Sequence, residues 1–358
     1  MDTCQRPVQI SMTRFTILLV AFAALAVPLA VAAEEAPAQK PANSAEASLD
    51  MEVANKGWIL FSAKGNQGDY DLFICRPNGT QRRNLTNTPE FSEFGGRFSA
   101  DGKQMMYRRV KKGVAINHDK WGATGTLVIA RADGSNPVVQ GQDGELPWAS
   151  WDPDAKRLAC LEDQIRIREA ESKRVLKELP RAGIYQQLIW SPDGKRLCGT
   201  ANTRGRQWNI ISIDLETGKA TLLTRALNCT PDWFQHDPSR VIYSNRTPGV
   251  GIGYGYTMLM QAAADGKSRT LIYGELQRHI YYGCTSPDDK YVIFSRPEGD
   301  GGIDGPMAIV RMADTPIVVP AAYKDLLELY PDAKSGPVLR LPHTGFEPHW
   351  TYSEIGKE

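Results

Sequence analysis

Chemistry in this 358-residue chain would have to come from a small set of side chains. Three of its histidines, His279, His343 and His349, lie toward the C-terminus, and imidazoles entering from neighbouring strands could converge on one divalent ion. Aspartate recurs at Asp101, Asp154, Asp193, Asp237 and Asp288, which would make a carboxylate ring if the side chains converged. Each, however, sits in a turn phrase where an aspartate bonds nearby backbone donors, so a structural role is expected. Nucleophilic catalysis finds no Gly-x-Ser-x-Gly elbow. Cys75, Cys160, Cys198, Cys229 and Cys284 are widely spaced and include no Cys-x-x-Cys pair for zinc. Their odd number leaves at least one thiol unbridged, and those in apolar runs read as buried small hydrophobes. The alternating glycines of Pro248–Tyr256 lie between two strands and open no helix, so they fail as a dinucleotide cradle. Glu298–Gly305 lacks the spacing and terminal glutamate of a calcium loop. No motif asks for a cofactor.

The elements that must position these groups follow from composition. Lys and Arg number 42 against 41 Asp and Glu, a net charge of +1 that argues against a nucleic-acid-binding surface. Abundant turn formers (32 Gly, 23 Pro) and aromatics (8 Trp, 13 Tyr, 10 Phe) point to an all-β protein. Residues 1–33 read as a secretory signal peptide: Arg6 and Arg14 precede an apolar run from Phe15 that ends at the small-x-small site Ala30-Val31-Ala32. Met12 offers a second, more compact start. No later run is long enough to span a membrane, and no cysteine just after the apolar run suggests a lipid anchor. Export to the periplasm or the extracellular space is expected. Residues 34–56, rich in Ala, Glu, Pro, Lys and Ser and free of aromatics, read as a disordered linker.

Internal repetition decides the fold. Trp190-Ser191-Pro192-Asp193-Gly194-Lys195 is the clearest copy of a phrase seen again at Phe98–Lys103, Trp151–Lys156 and Thr285–Lys290, and in decayed form at Phe234–Ser239. The aspartates recur about 39 to 53 residues apart, the period of a four-stranded propeller blade. In each phrase an aromatic ends one strand, a tight turn follows, and an apolar strand returns. Gly57–Ser62 looks like a second strand lacking its first, and Glu347–Thr351 supplies an aromatic with no second strand after it. Pairing these ends gives the expected architecture over 57–358: six four-stranded blades, one of them composite, with the N- and C-terminal strands closing the ring. Tyr323–Tyr330 would add two helical turns on the outer edge.

Propeller sites form where innermost strands converge on the central channel. One and three positions before each aromatic, on one side of a strand of period two, stand Arg97, Trp148, Gln187, Trp233, Tyr282, Glu347 and His349. Together they would make a polar and aromatic rim suited to a peptide or a glycan.

Trp190-Ser-Pro-Asp-Gly-Lys, Asp71-Leu-Phe-Ile-Cys-Arg-Pro-Asn-Gly-Thr80 and Asn84-Leu-Thr-Asn-Thr-Pro89 resemble the repeats of the TolB-like propeller family over residues 57 to 352. The family's namesake carries a smaller α/β domain ahead of its propeller, where this sequence has the short linker. The resemblance implies a soluble, envelope-located six-bladed propeller that grips protein partners at its channel mouth, a peptidoglycan-associated lipoprotein among them. With no catalytic motif in the chain, a monomeric, non-catalytic binder of a protein or peptide is expected. The alternative is a metal-dependent carbohydrate-active enzyme similar to the oligogalacturonate lyases, in which His279 and His349 would hold the ion that acidifies a sugar proton.

Overall fold

The computed structural model describes residues 44–114, 125–140, 148–203, 206–225, 227–247, 256–275, 278–298, 304–312, 317–318 and 334–356. The signal region, the glycines of Pro248–Tyr256, most of Glu298–Gly305 and the Tyr323–Tyr330 segment lie outside them. Part of the expected linker is ordered. Ser44–Val53 form helix α1, because Leu49 and Val53 are buried against Phe61, Trp350 and their neighbours. Glu52 pairs with Arg311 and Tyr291, and Trp350 Nε1 donates to the Lys56 carbonyl at 2.7 Å.

Strands β1 (Trp58–Lys64), β2 (Tyr70–Cys75) and β3 (Arg83–Asn84) come next. Four separate four-stranded sheets follow, each laid out in chain order from channel to rim. They are β4 to β7 (Phe91–Phe98, Gln104–Lys111, Thr126–Arg131, Val138–Val139) and β8 to β11 (Trp148–Trp151, Arg157–Leu161, Ile165–Glu169, Val175–Leu179). Then come β12 to β15 (Ile184–Trp190, Arg196–Thr203, Arg206–Asp214, Ala220–Leu222) and β16 to β19 (Asn228–Trp233, Arg240–Thr247, Tyr256–Ala263, Arg269–Tyr273). The chain continues through β20 (Tyr281–Thr285), β21 (Tyr291–Ser295), β22 (Gly305–Arg311), the short parallel pair β23 (Ile317–Val318) and β24 (Lys334–Ser335), and β25 (Val338–Thr351).

The expectation of six four-stranded blades is thereby corrected. Four four-stranded blades form, and the remaining strands join in one seven-stranded sheet, ordered β20-β21-β22-β25-β1-β2-β3. The cause is the length of β25. Its 14 residues run on without a turn, pairing with β22 from Val338 to Gly345 and with β1 from Phe346 to Thr351. The hydrogen bonding of β1 to the C-terminal strand leaves no open edge at that junction.

Burial follows position in the blade. Inner strand β12 is buried throughout, whereas outer strand β11 is exposed along most of its length. The apolar core lies between adjacent sheets: Ile189 and Cys198 of one blade pack with Trp233, Val241 and Tyr243 of the next. Burial pushes the Cys75, Cys160 and Cys284 thiols up to about 12, so these cysteines are inert packing groups.

Candidate functional site

The turn phrases behave as their chemistry requires. Asp101 accepts from Ser99 Oγ at 2.7 Å and Lys103 N at 3.1 Å, and Asp193 accepts from Ser191 Oγ at 2.6 Å and Lys195 N at 3.1 Å. Asp288 does the same with Ser286 Oγ at 2.8 Å and Lys290 N at 3.2 Å. In the β8–β9 hairpin Asp152 takes the serine's place and accepts from Lys156 N, Arg157 N and Arg157 Nε at 2.8, 2.9 and 2.7 Å. These carboxylates fold hairpins; they do not form a ring of ligands.

One hairpin departs from the rest. Phe98 opposes Met105, Trp151 opposes Leu158, Trp190 opposes Leu197 and Thr285 opposes Val292, but Trp233 opposes Val241. The β16–β17 turn is one residue longer, so Trp233, not Phe234, is the strand-ending aromatic. Trp233 is therefore a core residue at 2% exposure, its Nε1 donating to Ile189 O at 3.2 Å. The channel position that counting from Asp237 assigned to Trp233 belongs to Asp232.

With that shift, one backbone feature recurs three residues before the aromatic position, which Thr285 fills in β20. Gly95, Gln187, Thr230, Tyr282 and Glu347 all have left-handed φ, between 47° and 66°. Each sits where the strand register slips, so each is a β-bulge. A left-handed residue other than glycine is strained by roughly 1–2 kcal/mol, and clustering of such residues marks places where side chains are re-aimed. All five line one chamber, together with Arg97, Arg108, Trp148 and Asp232.

That chamber is narrow. Its volume is about 40 Å³, room for roughly two waters. Arg108 Nη2 donates to both Glu347 oxygens at 2.7 and 2.8 Å, with side-chain exposures of 6% and 8%. The Arg108 guanidinium lies 3.8 Å over the Trp148 ring and 4.5 Å over Phe94. Gly95 makes this approach feasible, since a Cβ there would come within 2.7 Å of Arg108 Nη2. Gln187 accepts from Thr200 Oγ1 at 2.7 Å, and burial pushes the Tyr282 hydroxyl well above its usual pKa.

Toward the turns the channel widens to a cavity of about 350 Å³. Its floor is shared with the chamber through Arg97, Ile189 and Asp232. Arg97 Nη2 donates to Asp232 Oδ2 at 2.8 Å. Burial pushes the Asp232 carboxyl up and Arg97 opposes the shift. His349 also lines this cavity; burial, with Arg97 beside it, holds its pKa well below 6.5. The neutral ring accepts the Phe98 N–H on Nδ1 at 3.3 Å, which leaves its proton on Nε2.

Of the residues expected at the rim, Arg97, Trp148, Gln187, Tyr282 and Glu347 meet in the narrow chamber, and Arg97, Trp233 and His349 border the wide cavity. Sequence reasoning missed Arg108, which comes from a second strand, and Asp232, which the longer turn displaced. His279 borders neither cavity; its Nδ1 contacts Thr257 Oγ1 at 2.7 Å, and His343 Nε2 contacts Gly79 O at 2.7 Å. Among the described residues, no three His, Cys, Asp or Glu side chains are placed to hold a metal ion. Nor does any helix there have the length and apolarity to cross a membrane.

No protein-family model matches the chain, and no curated protein sequence matches it. Solved structures do resemble it. The crystal structure of TolB from Acinetobacter baumannii aligns over 83% of this chain and 67% of its own, at 15% identity and a TM-score of 0.58. A putative TolB from Agrobacterium tumefaciens aligns over 82% and 93%, at 17% identity and 0.53. A chain of the nidogen/laminin complex aligns over 71% and 89%, at 13% identity and 0.51. These likenesses establish a TolB-like β-propeller fold, and at such identities they speak to fold alone.

Proposed function

We propose that this protein is an exported, non-catalytic binding propeller of the periplasm or extracellular space, and that it receives a segment of an envelope protein in the cavity at the turn end of its channel. The observation that carries the reading is the contrast in volume, about 350 Å³ at the turn end against about 40 Å³ at the bulge end. Only the wider space falls in the range that accommodates a few residues of a partner. Export is supported by the apolar run from Phe15 to the small residues at Ala30–Ala32. The TolB-like fold supports a protein partner, and a peptidoglycan-associated lipoprotein of the host is the first to try.

The test is direct binding of that purified lipoprotein, with capture from the host's envelope fraction alongside. Ala100, exposed on the rim, is replaced in an Ala100→Trp variant that obstructs the mouth. A protein held by the wild type and released by this variant is the expected result. Equal retention by both, or no partner for either, removes the cavity as the binding site.

A further inference from the structure

On the walls of the wide cavity the Asp152 carboxylate and the serine hydroxyls are occupied, while two donors are not. Asp152 is saturated by Lys156 N, Arg157 N and Arg157 Nε. The Ser99 and Ser191 hydroxyls are turned onto Asp101 and Asp193, and Ser150 Oγ accepts from Trp190 N at 2.8 Å. Arg97 differs. A guanidinium has several N–H donors, and this one makes a single side-chain hydrogen bond, to Asp232. Its side chain is 24% exposed against 8% for Asp232, so the unspent donors open onto the channel space. His349 adds a second donor, since Nδ1 is occupied by Phe98 N–H and the proton resides on Nε2.

Two unspent donors beside satisfied acceptors describe a seat for a negatively charged acceptor. Asp232 next to them opposes a dianion, which favours a carboxylate over a phosphate. We propose that the wide cavity seats a carboxylate carried by a peptide, with the Arg97 guanidinium and the His349 Nε2–H as its donors. This inference rests on the partner-binding reading and specifies the group that the partner presents.

The test uses small probes on the purified protein. N-acetylglycine stands for a C-terminal carboxylate, the α-amide of N-acetylaspartate for a side-chain carboxylate, and N-acetylglycine amide for neither. The signals followed are the Arg97 Nε–H and the His349 ring in NMR titrations. Saturable shifts with one or both carboxylates, about tenfold tighter than with the amide, are expected; the tighter probe identifies the source. The response should vanish in the Arg97→Gln, Asp232→Asn double variant, which keeps the floor neutral and whose folding is checked by thermal unfolding. Absence of saturable shifts, equal response to the amide, or tighter binding of inorganic phosphate overturns the proposal. If Ala100→Trp releases a partner protein while the carboxylates fail to bind, this inference falls and the partner reading stands. If the carboxylates bind and no protein partner is found, the carboxylate seat stands and the partner reading falls.

Discussion

Two arginine–carboxylate pairs face the same channel, and they are built for different purposes. Arg108 and Glu347 are sealed at 6% and 8% exposure, joined by two hydrogen bonds and stacked against Trp148 and Phe94. Arg97 and Asp232 share one hydrogen bond at the junction of chamber and cavity, and the arginine side remains 24% exposed. The first pair is shut away from the channel space, its guanidinium covered by two aromatic rings, whereas the second opens onto that space. A buried ion pair near a channel is thus not by itself a binding site; what matters is whether its donors reach open space.

The largest effect is expected where the pair is sealed. Glu347→Ala leaves Arg108 buried and unpaired, and should cost about 3–5 kcal/mol in urea unfolding. Replacing both partners with methionine should recover most of that loss, since a well-packed apolar pair avoids the desolvation of two charges. Arg97→Ala should cost less, about 1–2 kcal/mol, because burial already pushes the Asp232 carboxyl up and, without Arg97, it can take up a proton and lose its charge. If the two single variants proved equally destabilising, the distinction between sealed and open pair would collapse.

How far the sequence carries this comparison depends on the residue. The repeated phrase and its aromatic position locate the inner strands, and counting back from that position finds Glu347, Gln187 and Tyr282 at one level of the channel. It fails at Asp232, because the β16–β17 turn has an extra residue and shifts the count by one. Arg108 was invisible for another reason: it lies on β5, yet its long side chain reaches inward to a carboxylate far along the chain. The bulges could not be read either. Gln187, Thr230, Tyr282 and Glu347 share a left-handed φ without sharing a side-chain type, so only the register of the paired strands reveals them. The blade count missed because nothing in Val338–Thr351 announces that one strand will pair with both β22 and β1 and so merge two sets of strands into a single sheet.

Acid exposes the open pair through its neighbour. The His349 pKa is lowered by burial and by Arg97, so below 6.5 the unfolded chain binds a proton that the folded protein refuses. Stability from this group is complete above 6.5 and lost as pH falls toward the folded value, with a slope of at most about 1.4 kcal/mol per pH unit. Glu93 acts oppositely: burial raises its pKa from 4.5 to about 7, so its contribution is lost as pH rises across that range. The difference between wild type and His349→Gln isolates the histidine. That difference should shrink in an Arg97→Ala background, which removes one of its two causes, and should be untouched by replacing Arg108 and Glu347 together.

The smallest effect separates the two ends of the channel by their backbones. Ala155, in the β8–β9 turn, holds a φ of 56° where the equivalent turns have Gly102 and Gly194. Its methyl group has no evident task there, so Ala155→Gly should relieve strain and raise stability by about 0.5–1 kcal/mol. Gln187, at 47°, is strained to a similar degree, but its side chain accepts the Thr200 hydroxyl inside the chamber. Gln187→Gly would leave that buried hydroxyl without its acceptor, which offsets the relief, so thermal unfolding should show no gain. A gain of equal size at both positions would mean that the bulge residues are strained for no structural return, and that the chamber does not depend on them.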